Sequence, residues 1–490
     1  MESDASVAGE SVSGVVACSR DRVLALKADG DSRWCLHNDV RRVILYEFVV
    51  EIQDIAKTGF MHPTEAVILT LFDGERTIAD VDRRVEHLFE VDALDARSMV
   101  DKVVTSRKEA LQEGKPADGN VYDPAKFVIP ADQVDLQTPR LYKPLMLDCR
   151  VSDDCMRRCV YCNVQKARTR DLKLLPLSRW EQLADECADL EMPSVTFAGG
   201  DPFMRPDVEQ IVSFFLRRSI HPFLATKSLI RPDRAKRLAR MGVRRMQVSM
   251  DAPMPYLADM LTGSPGFFAE ATASIRNLIA AGIIVRVNCV ITHFNVRQVP
   301  RLIDLLFGLG VSKVSLSGFG RSLYLSDEEN ADLFLDAPDR QLLAGMDARR
   351  SPEERRRVQA GVPKDWSEYS VEEKHRTHQG GPKCSAGRWG LVLRSDGKVT
   401  LCDELPGTGS EVVGDLSHQT LMEVWRSPRL EELLYPPRER FVGTVCYECE
   451  DFDQCHLGRG RCVRDALKAY GRFYAPSPGC PRAPTGPRLM

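Results

Sequence analysis

What the chain has little of narrows its class first. Positive charge does not dominate: 67 Lys and Arg stand against 70 Asp and Glu, a net charge of −3, so there is no electrostatic case for a nucleic-acid or anionic-membrane partner. No stretch approaches the roughly 18 consecutive apolar residues of a membrane-spanning helix. Met1 to Glu10 carries acids and no apolar core, which is not the pattern of a secretory signal. These absences predict a cytoplasmic protein. Without an export signal, 15 cysteines argue against disulfides and for metal or redox chemistry. With 490 residues and 43% hydrophobic content, the length accommodates roughly two to four domains with real cores.

Three cysteines stand in Asp154-Cys155-Met156-Arg157-Arg158-Cys159-Val160-Tyr161-Cys162, spaced Cys-x3-Cys-x2-Cys. Thiolates are the soft ligands an iron-sulfur cluster requires, and short spacers let one loop wrap a cube-shaped cluster, holding three irons and leaving the fourth open to a small cofactor. A structural zinc site and free thiols are the alternatives. Zinc, however, usually takes a fourth nearby ligand and a second Cys-x2-Cys or His pair. The run resembles the motif of the radical S-adenosylmethionine (SAM) enzymes, which has this spacing and an aromatic before the last cysteine, here Tyr161.

Seven more cysteines crowd the last 107 residues: Cys384, Cys402, Cys446, Cys449, Cys455, Cys462 and Cys480. With Gly397 before Cys402, and with Cys446-x2-Cys449-x5-Cys455, the order is similar to the seven-cysteine SPASM extension. That family usually has three residues where this chain has six, His456 to Arg461. The resemblance implies two auxiliary clusters: a distal one on Cys446, Cys449, Cys455 and Cys480, and one nearer the active site on Cys384, Cys402 and Cys462. No further cysteine lies between Cys384 and Cys402. The second set is therefore one ligand short, leaving either an open iron or an oxygen ligand from Asp403. A zinc ribbon is the competing reading, since Cys446-x2-Cys449 also suits zinc.

Between the two cysteine groups, apolar runs alternate with helical patterns. A strand at Leu145 and strands over Ser194 to Ala198, Pro222 to Ala225, Arg245 to Ser249, Val285 to Ile291 and Lys313 to Leu316 are separated by predicted helices. The helices run over Trp180 to Leu190, Val208 to Arg218, Asp233 to Arg240, Phe267 to Ala281 and Val299 to Leu309. Six parallel strands with crossover helices give an α/β fold, a partial (β/α)6 TIM-like barrel with its chemistry at the carboxyl ends of the strands.

The strand ends carry candidate cofactor contacts. Gly199-Gly200-Asp201-Pro202 is similar to the family's Gly-Gly-Glu-Pro, which the resemblance assigns to the amino group of SAM; on its own it is an ordinary turn. Thr226-Lys227-Ser228 and Ser249-Met250-Asp251 present polar groups suited to the cofactor's carboxylate and ribose, or simply to helix capping. Arg286 and Asn288 alternate with apolar neighbours and so share one strand face, predicted to be the barrel interior, where a buried arginine would need an anion such as the cofactor carboxylate. Cys149, Cys187 and Cys289 read as core.

Near the N-terminus, Val15 to Cys18, Val23 to Leu26 and Trp34 to His37 read as strands, the last two forming a hairpin across Asp29-Gly30. Helices follow over Pro63 to Phe72, Ile78 to Phe89 with Thr77 as N-cap, and Ala93 to Gln112. The stretch from His62 to Gly74 resembles the PqqD-like precursor-recognition element of ribosomal peptide biosynthesis, a winged-helix-like α+β module. In that family a leader peptide adds as a strand to an exposed edge. A winged helix could instead read DNA, but Asp80, Asp82, Glu86, Glu90, Asp92, Asp95 and Asp101 on and beside its helices would repel phosphate.

The expected domains are a peptide-recognition module over 1–125, a linker over 126–144, a radical SAM barrel over 145–325, an insertion over 326–383 and a cysteine-rich domain over 384–490. Three four-iron clusters, SAM, a ribosomally made precursor peptide and an electron donor such as flavodoxin or ferredoxin complete the expectation. The predicted reaction is an intrapeptide crosslink, thioether ahead of carbon-carbon, made through a 5'-deoxyadenosyl radical. The alternatives are a protein maturase of the sulfatase-activating or quinoprotein-maturing type and, in another class, a winged-helix metal- or redox-sensing regulator.

Overall fold

The computed structural model describes residues 19–29, 32–49, 54–116, 120–163, 173–349, 351–361, 364–380, 384–407, 409–456 and 461–489. The chain divides into two compact units, Met1–Thr138 and Pro139–Met490. Among the described residues no helix is long and apolar enough to cross a membrane.

Unit 1 is built from β1 (Val23–Leu26), β2 (Ser32–Asn38), β3 (Val43–Val49), β4 (Asp54–Met61), α1 (Pro63–Thr70), β5 (Asp73–Thr77), α2 (Ile78–Phe89), α3 (Ala93–Ser106) and β6 (Leu111–Glu113). The predicted β1–β2 hairpin is not the pairing that forms. These two strands meet only at an Ala28–Arg33 bridge and belong to different antiparallel sheets, ordered β5-β1-β6 and β2-β3-β4. The physical reason is β3: its run of branched and aromatic residues pairs with β2 over the whole length, from Ser32–Val49 to Asn38–Val43. Strands and helices therefore interleave rather than follow in blocks. The predicted helix to Gln112 stops at Ser106, because Leu111 to Glu113 pair with Leu26 to Leu24. Val15 to Cys18 lies outside the described residues.

One apolar core joins both sheets and the helices of unit 1. It includes Val43 and Leu45 from β3, Val81 and Val85 from α2, and Val100 and Val103 from α3, spaced so that each helix buries one stripe. Phe127, in the stretch expected to begin the linker, is buried in that core, and just before that stretch the Tyr122 hydroxyl accepts the Leu36 N–H at 3.0 Å along the outer edge of β2. The opposite edge of that sheet is β4.

Unit 2 carries a ten-stranded sheet. Its parallel strands are β7 (Met146–Ser152), β8 (Ser194–Gly199), β9 (Phe223–Thr226), β10 (Arg245–Ser249), β11 (Ile284–Ile291) and β12 (Lys313–Gly318), adjacent in sequence order. The crossovers are α4 (Leu177–Asp189), α5 (Val208–Leu216), α6 (Pro232–Met241), α7 (Pro255–Thr262) with α8 (Phe267–Ala280), and α9 (Val299–Gly308). This is the expected partial barrel, with α7 as an additional short helix. In β11, Val285, Val287, Cys289 and Ile291 are buried while Arg286, Asn288 and Val290 are half-buried on the other face, as the period of two requires. Cys149, Cys187 and Cys289 are all buried.

Both ends of the barrel sheet are extended. The insertion supplies β13 (Val358–Gly361), parallel to β12, and the cysteine-rich segment supplies β14 (Gly390–Leu393), parallel to β7, followed by antiparallel β15 (Lys398–Thr400) and β16 (Gly414–Asp415). Gly390 permits the β14–β7 contact, since a Cβ there would meet the Met146 carbonyl oxygen at 2.9 Å.

Thr77 caps α2 as expected, in a capping box: its hydroxyl accepts the Asp80 N–H at 3.2 Å and Asp80 accepts the Thr77 N–H at 3.0 Å. Thr77→Ala should lower unfolding stability by about 1 kcal/mol in chemical denaturation, with Thr77→Ser keeping most of it. Equal stability of all three proteins would show the cap to be idle.

Candidate active site

The loop after β7 carries Cys155, Cys159 and Cys162, and its anchors are polar and buried. Arg150 Nη2 lies 2.5 Å from Asp153 Oδ1, a charge contact not aligned as a hydrogen bond. Ser395 Oγ donates to the other Asp153 oxygen at 2.6 Å, and Arg150 Nη1 donates to the Asp403 carbonyl at 3.4 Å. Further along, the N–H groups of Arg158 and Val160 donate to the carbonyls of Thr262 and Leu261 at the end of α7, both at 2.9 Å. Arg157 donates to the Lys227 carbonyl at 3.1 Å, contacts Glu270 and lies 4.9 Å over the Phe267 ring. Ser322 Oγ fixes the end of the loop by donating to the Cys162 carbonyl at 3.0 Å.

All three cysteines line one cavity of about 1010 Å³ at the carboxyl ends of the strands. Burial pushes the Cys159 thiol up to about 11 and raises Cys155 as well, so these thiols are protonated until a metal displaces the proton.

Gly199-Gly200-Asp201-Pro202 lies against this loop. The Gly200 N–H donates to the Ser152 carbonyl and the Asp201 N–H to the Asp154 carbonyl, both at 2.8 Å. A Cβ on Gly199 or Gly200 would fall inside the van der Waals radius of the Ser152 or Asp154 carbonyl oxygen, and Gly199 has φ 129°, so both glycines serve the close approach. The Asp201 carboxylate is taken by the protein. It accepts from Thr226 Oγ1 at 2.8 Å, the Lys227 N–H at 2.7 Å and the Phe203 N–H at 3.0 Å, which ties β8 to β9.

Of the other sequence candidates, Tyr161, Lys227, Ser249 and Asn288 line the cavity, while Pro202, Asp251 and Arg286 do not. Asp251 sits behind Tyr161, accepting its hydroxyl and the Val290 N–H (2.8 Å) with Lys227 Nζ at 3.5 Å, so it holds the loop from the rear. Arg286 is one strand repeat deeper than Asn288 and bonds the Ser315 hydroxyl rather than facing the cavity. Arg150, Asp153 and Arg157 are the residues that sequence reasoning passed over. Two of them lie inside or beside the cysteine motif, where an interior charge needs a partner.

The C-terminal cysteines fall into two groups. Cys384, Cys402 and Cys462 line a cavity of about 130 Å³. Cys446, Cys455 and Cys480 line another of about 240 Å³, which Cys384 and Cys462 also reach. Burial raises the Cys446 thiol to about 11, with Cys480, Cys455 and Cys449 adding to the rise as neighbours. Burial raises Cys462 to about 12. Arg461 lines both cavities and is half-buried, with its Nε and Nη2 atoms buried and lacking partners, an orphaned cationic edge that suits an anionic thiolate-bound cluster.

His456, treated in sequence only as part of a spacer, also lines both cavities, and burial with Arg461 and Arg438 lowers it to about 4, which keeps the ring neutral. Asp403 faces the large cavity instead, 3.5 Å from the Cys402 thiol. Beside it, Glu404 is paired with Arg464 at 2.7 Å and with Lys468.

The thiols are too far apart for a single ion. Tetrahedral zinc with bonds of about 2.3 Å needs sulfurs roughly 3.8 Å apart. Among the described residues, the one trio of His, Cys, Asp or Glu ligand atoms within 4.8 Å of each other is His293, Asp336 and Asp339. Each cysteine group instead has members lining a common cavity, which suits a cube-shaped cluster.

The comparisons agree with this chemistry. Residues 149–306 match the radical SAM superfamily, and residues 384–451 match the SPASM iron-sulfur cluster-binding domain. The chain is a radical SAM enzyme with a C-terminal SPASM domain. It is 24% identical to the PqqA peptide cyclase of Gluconobacter oxydans over 357 residues, 71% of this chain and 93% of that protein. It is also 24% identical to the AdoMet-dependent heme synthase of Methanosarcina barkeri over 346 residues, 69% of this chain and 96% of that one. In fold it resembles Streptococcus suis SuiB, solved bound to S-adenosylmethionine, with a TM-score of 0.60 and 16% identity over 93% of this chain and 99% of SuiB. SuiB has also been solved bound to its precursor peptide SuiA.

Gly200→Ala should push the Asp154 carbonyl and the cysteine loop apart. Anaerobically reconstituted protein is then expected to lose about four irons per chain relative to the parent, in a folded chain. Unchanged iron content would show that the loop tolerates the added methyl.

Proposed function

We propose that the chain is a peptide maturase that binds the leader of a ribosomally made precursor through unit 1 and crosslinks the peptide core in the large cavity of unit 2. The observation that carries this reading is the cavity itself. Cys155, Cys159 and Cys162 contribute to its lining, and so do Asp403, Glu404 and Arg464, which flank Cys402 and Cys462 in sequence. Its volume of about 1010 Å³ is at the upper end of the roughly 300–1,000 Å³ of small-molecule sites, which suits a cofactor together with peptide side chains. The peptide cyclase relatives and the peptide-bound SuiB support a peptide substrate.

In this reading three four-iron clusters are held by Cys155, Cys159 and Cys162, by Cys384, Cys402 and Cys462, and by Cys446, Cys449, Cys455 and Cys480. A reduced cluster on the first set, with SAM bound, would supply the electron for reductive cleavage of the cofactor and so the hydrogen-atom abstraction from the substrate. The protein groups bind, orient and exclude water. The carbonyls of Gly199 and Gly200 face the cofactor ammonium, Lys227 its carboxylate, and Ser249 and Asn288 its ribose. Asp201, Asp251 and Arg157 hold the walls in place. A flavodoxin or ferredoxin donates the electron.

The leader adds as a strand to β4, because the opposite edge at β2 has its Leu36 N–H already taken by Tyr122. The favoured product is a thioether, since the thiol set of Cys384, Cys402 and Cys462 is one short and suits a substrate thiolate: the thiol proton would leave on binding, the substrate carbon radical would bond to the sulfur, and the electron left over would pass to the auxiliary cluster; a carbon-carbon crosslink is second.

Two measurements test the reading. Reconstituted protein should bind about twelve irons per chain and release 5'-deoxyadenosine from SAM. The Cys155, Cys159 and Cys162 to Ala triple variant should hold about eight and release none; cofactor cleavage surviving in that variant would overturn the assignment. A precursor peptide with every cysteine replaced by serine should give no crosslinked mass, and continued crosslinking would sink the thioether version.

A further inference from the structure

We propose that the imidazole of His456 is the fourth protein donor of the auxiliary cluster held by Cys384, Cys402 and Cys462. The inference rests on the reading of that cavity as a cluster site and identifies the ligand that the cysteine count leaves out.

The ring lines the 130 Å³ cavity together with all three thiols. Its residue is only 5% exposed. The ring is held by packing: Phe452 stacks on it at 4.1 Å between centroids and 27° between planes, and Phe441 meets it in a T-shaped contact at 5.1 Å. Among the described residues neither ring nitrogen has a hydrogen-bond partner. An imidazole nitrogen without a protein partner beside a cavity is available to a metal, and a bond to iron would satisfy it. The backbone is fixed as well, since Arg388, which lines the same cavity, donates to the His456 carbonyl at 3.1 Å.

Asp403, the oxygen donor suggested by its place after Cys402, lines the large cavity and not this one. Imidazole is an established ligand for iron in iron-sulfur centres, where replacing thiolate raises the reduction potential. A neutral donor leaves the cluster one unit less negative than a fourth thiolate would. It is also a donor that a softer thiolate can displace, so it holds the position that a substrate cysteine would take.

The test is pulsed electron paramagnetic resonance on the full chain, reconstituted anaerobically and reduced, made with natural-abundance and with ¹⁵N-labelled histidine. The expected result is the coupling of a directly bonded histidine nitrogen that changes with the label and is lost in His456→Ala, while the iron content of that variant stays within about one atom of the parent. His456→Cys should also abolish the coupling and lower the midpoint potential of one cluster. Iron-loaded C-terminal cysteines with no histidine coupling, or a coupling that persists in His456→Ala, would overturn the proposal alone. No iron on the C-terminal cysteines would overturn it together with the cluster reading beneath it.

Discussion

The contact between Arg150 and Asp153 is the constraint on which unit 2 depends. Asp153 begins the cysteine loop, Arg150 belongs to β7, and the two reach Ser395 and the Asp403 carbonyl in the cysteine-rich segment. Removing either charge would leave the other buried without its partner, a loss of roughly 3–5 kcal/mol in such settings. The same pair thus orients the loop for SAM chemistry and fixes the backbone beside Cys402. A hydrophobic pair could fill the volume, but it would hold no carbonyl and set no direction.

The cysteines show why folding and metal loading belong together. Burial disfavours the thiolate at Cys159, Cys446 and Cys462, so these sulfurs keep their protons until a metal takes their place. Binding iron and sulfide displaces those protons and contributes its free energy to the folded state. Arg461 and Arg157 complete this arrangement in different ways: one presents an unpartnered edge to the cavities, while the other is fully used in bracing a loop.

Much of this was legible in the sequence, and the parts that were not share a cause. The barrel strands could be read because apolar runs and helical periods alternate locally, and the cysteine groups because their spacers are short. Unit 1 was read less well, since the partner of β2 is decided by β3, whose run Val43 to Val49 carries a strand signal that the hairpin reading overlooked. Depth along a strand is invisible to a period of two, so Arg286 and Asn288 looked equivalent although only Asn288 lines the cavity. Asp201 lines the cavity, and its carboxylate also bonds Thr226 and Lys227 at the end of the neighbouring strand, partners that spacing along the chain does not show. His456 had one available signal, its place beside a cysteine in a metal-rich segment, and only the packing of Phe441 and Phe452 shows where the ring goes.

The parallel ladder between β14 and β7 has a consequence for electron transfer. Because Gly390 to Leu393 pair residue by residue with Met146 to Cys149, the strand that leads toward Cys402 and the strand that leads to Cys155 rise together from a common register. In the proposed reading, the gap between the clusters on these cysteines would be a property of a hydrogen-bonded ladder rather than of a tether. Tunnelling rates fall steeply with distance, so a one-residue slip in that ladder would change the electronic coupling as surely as losing a ligand.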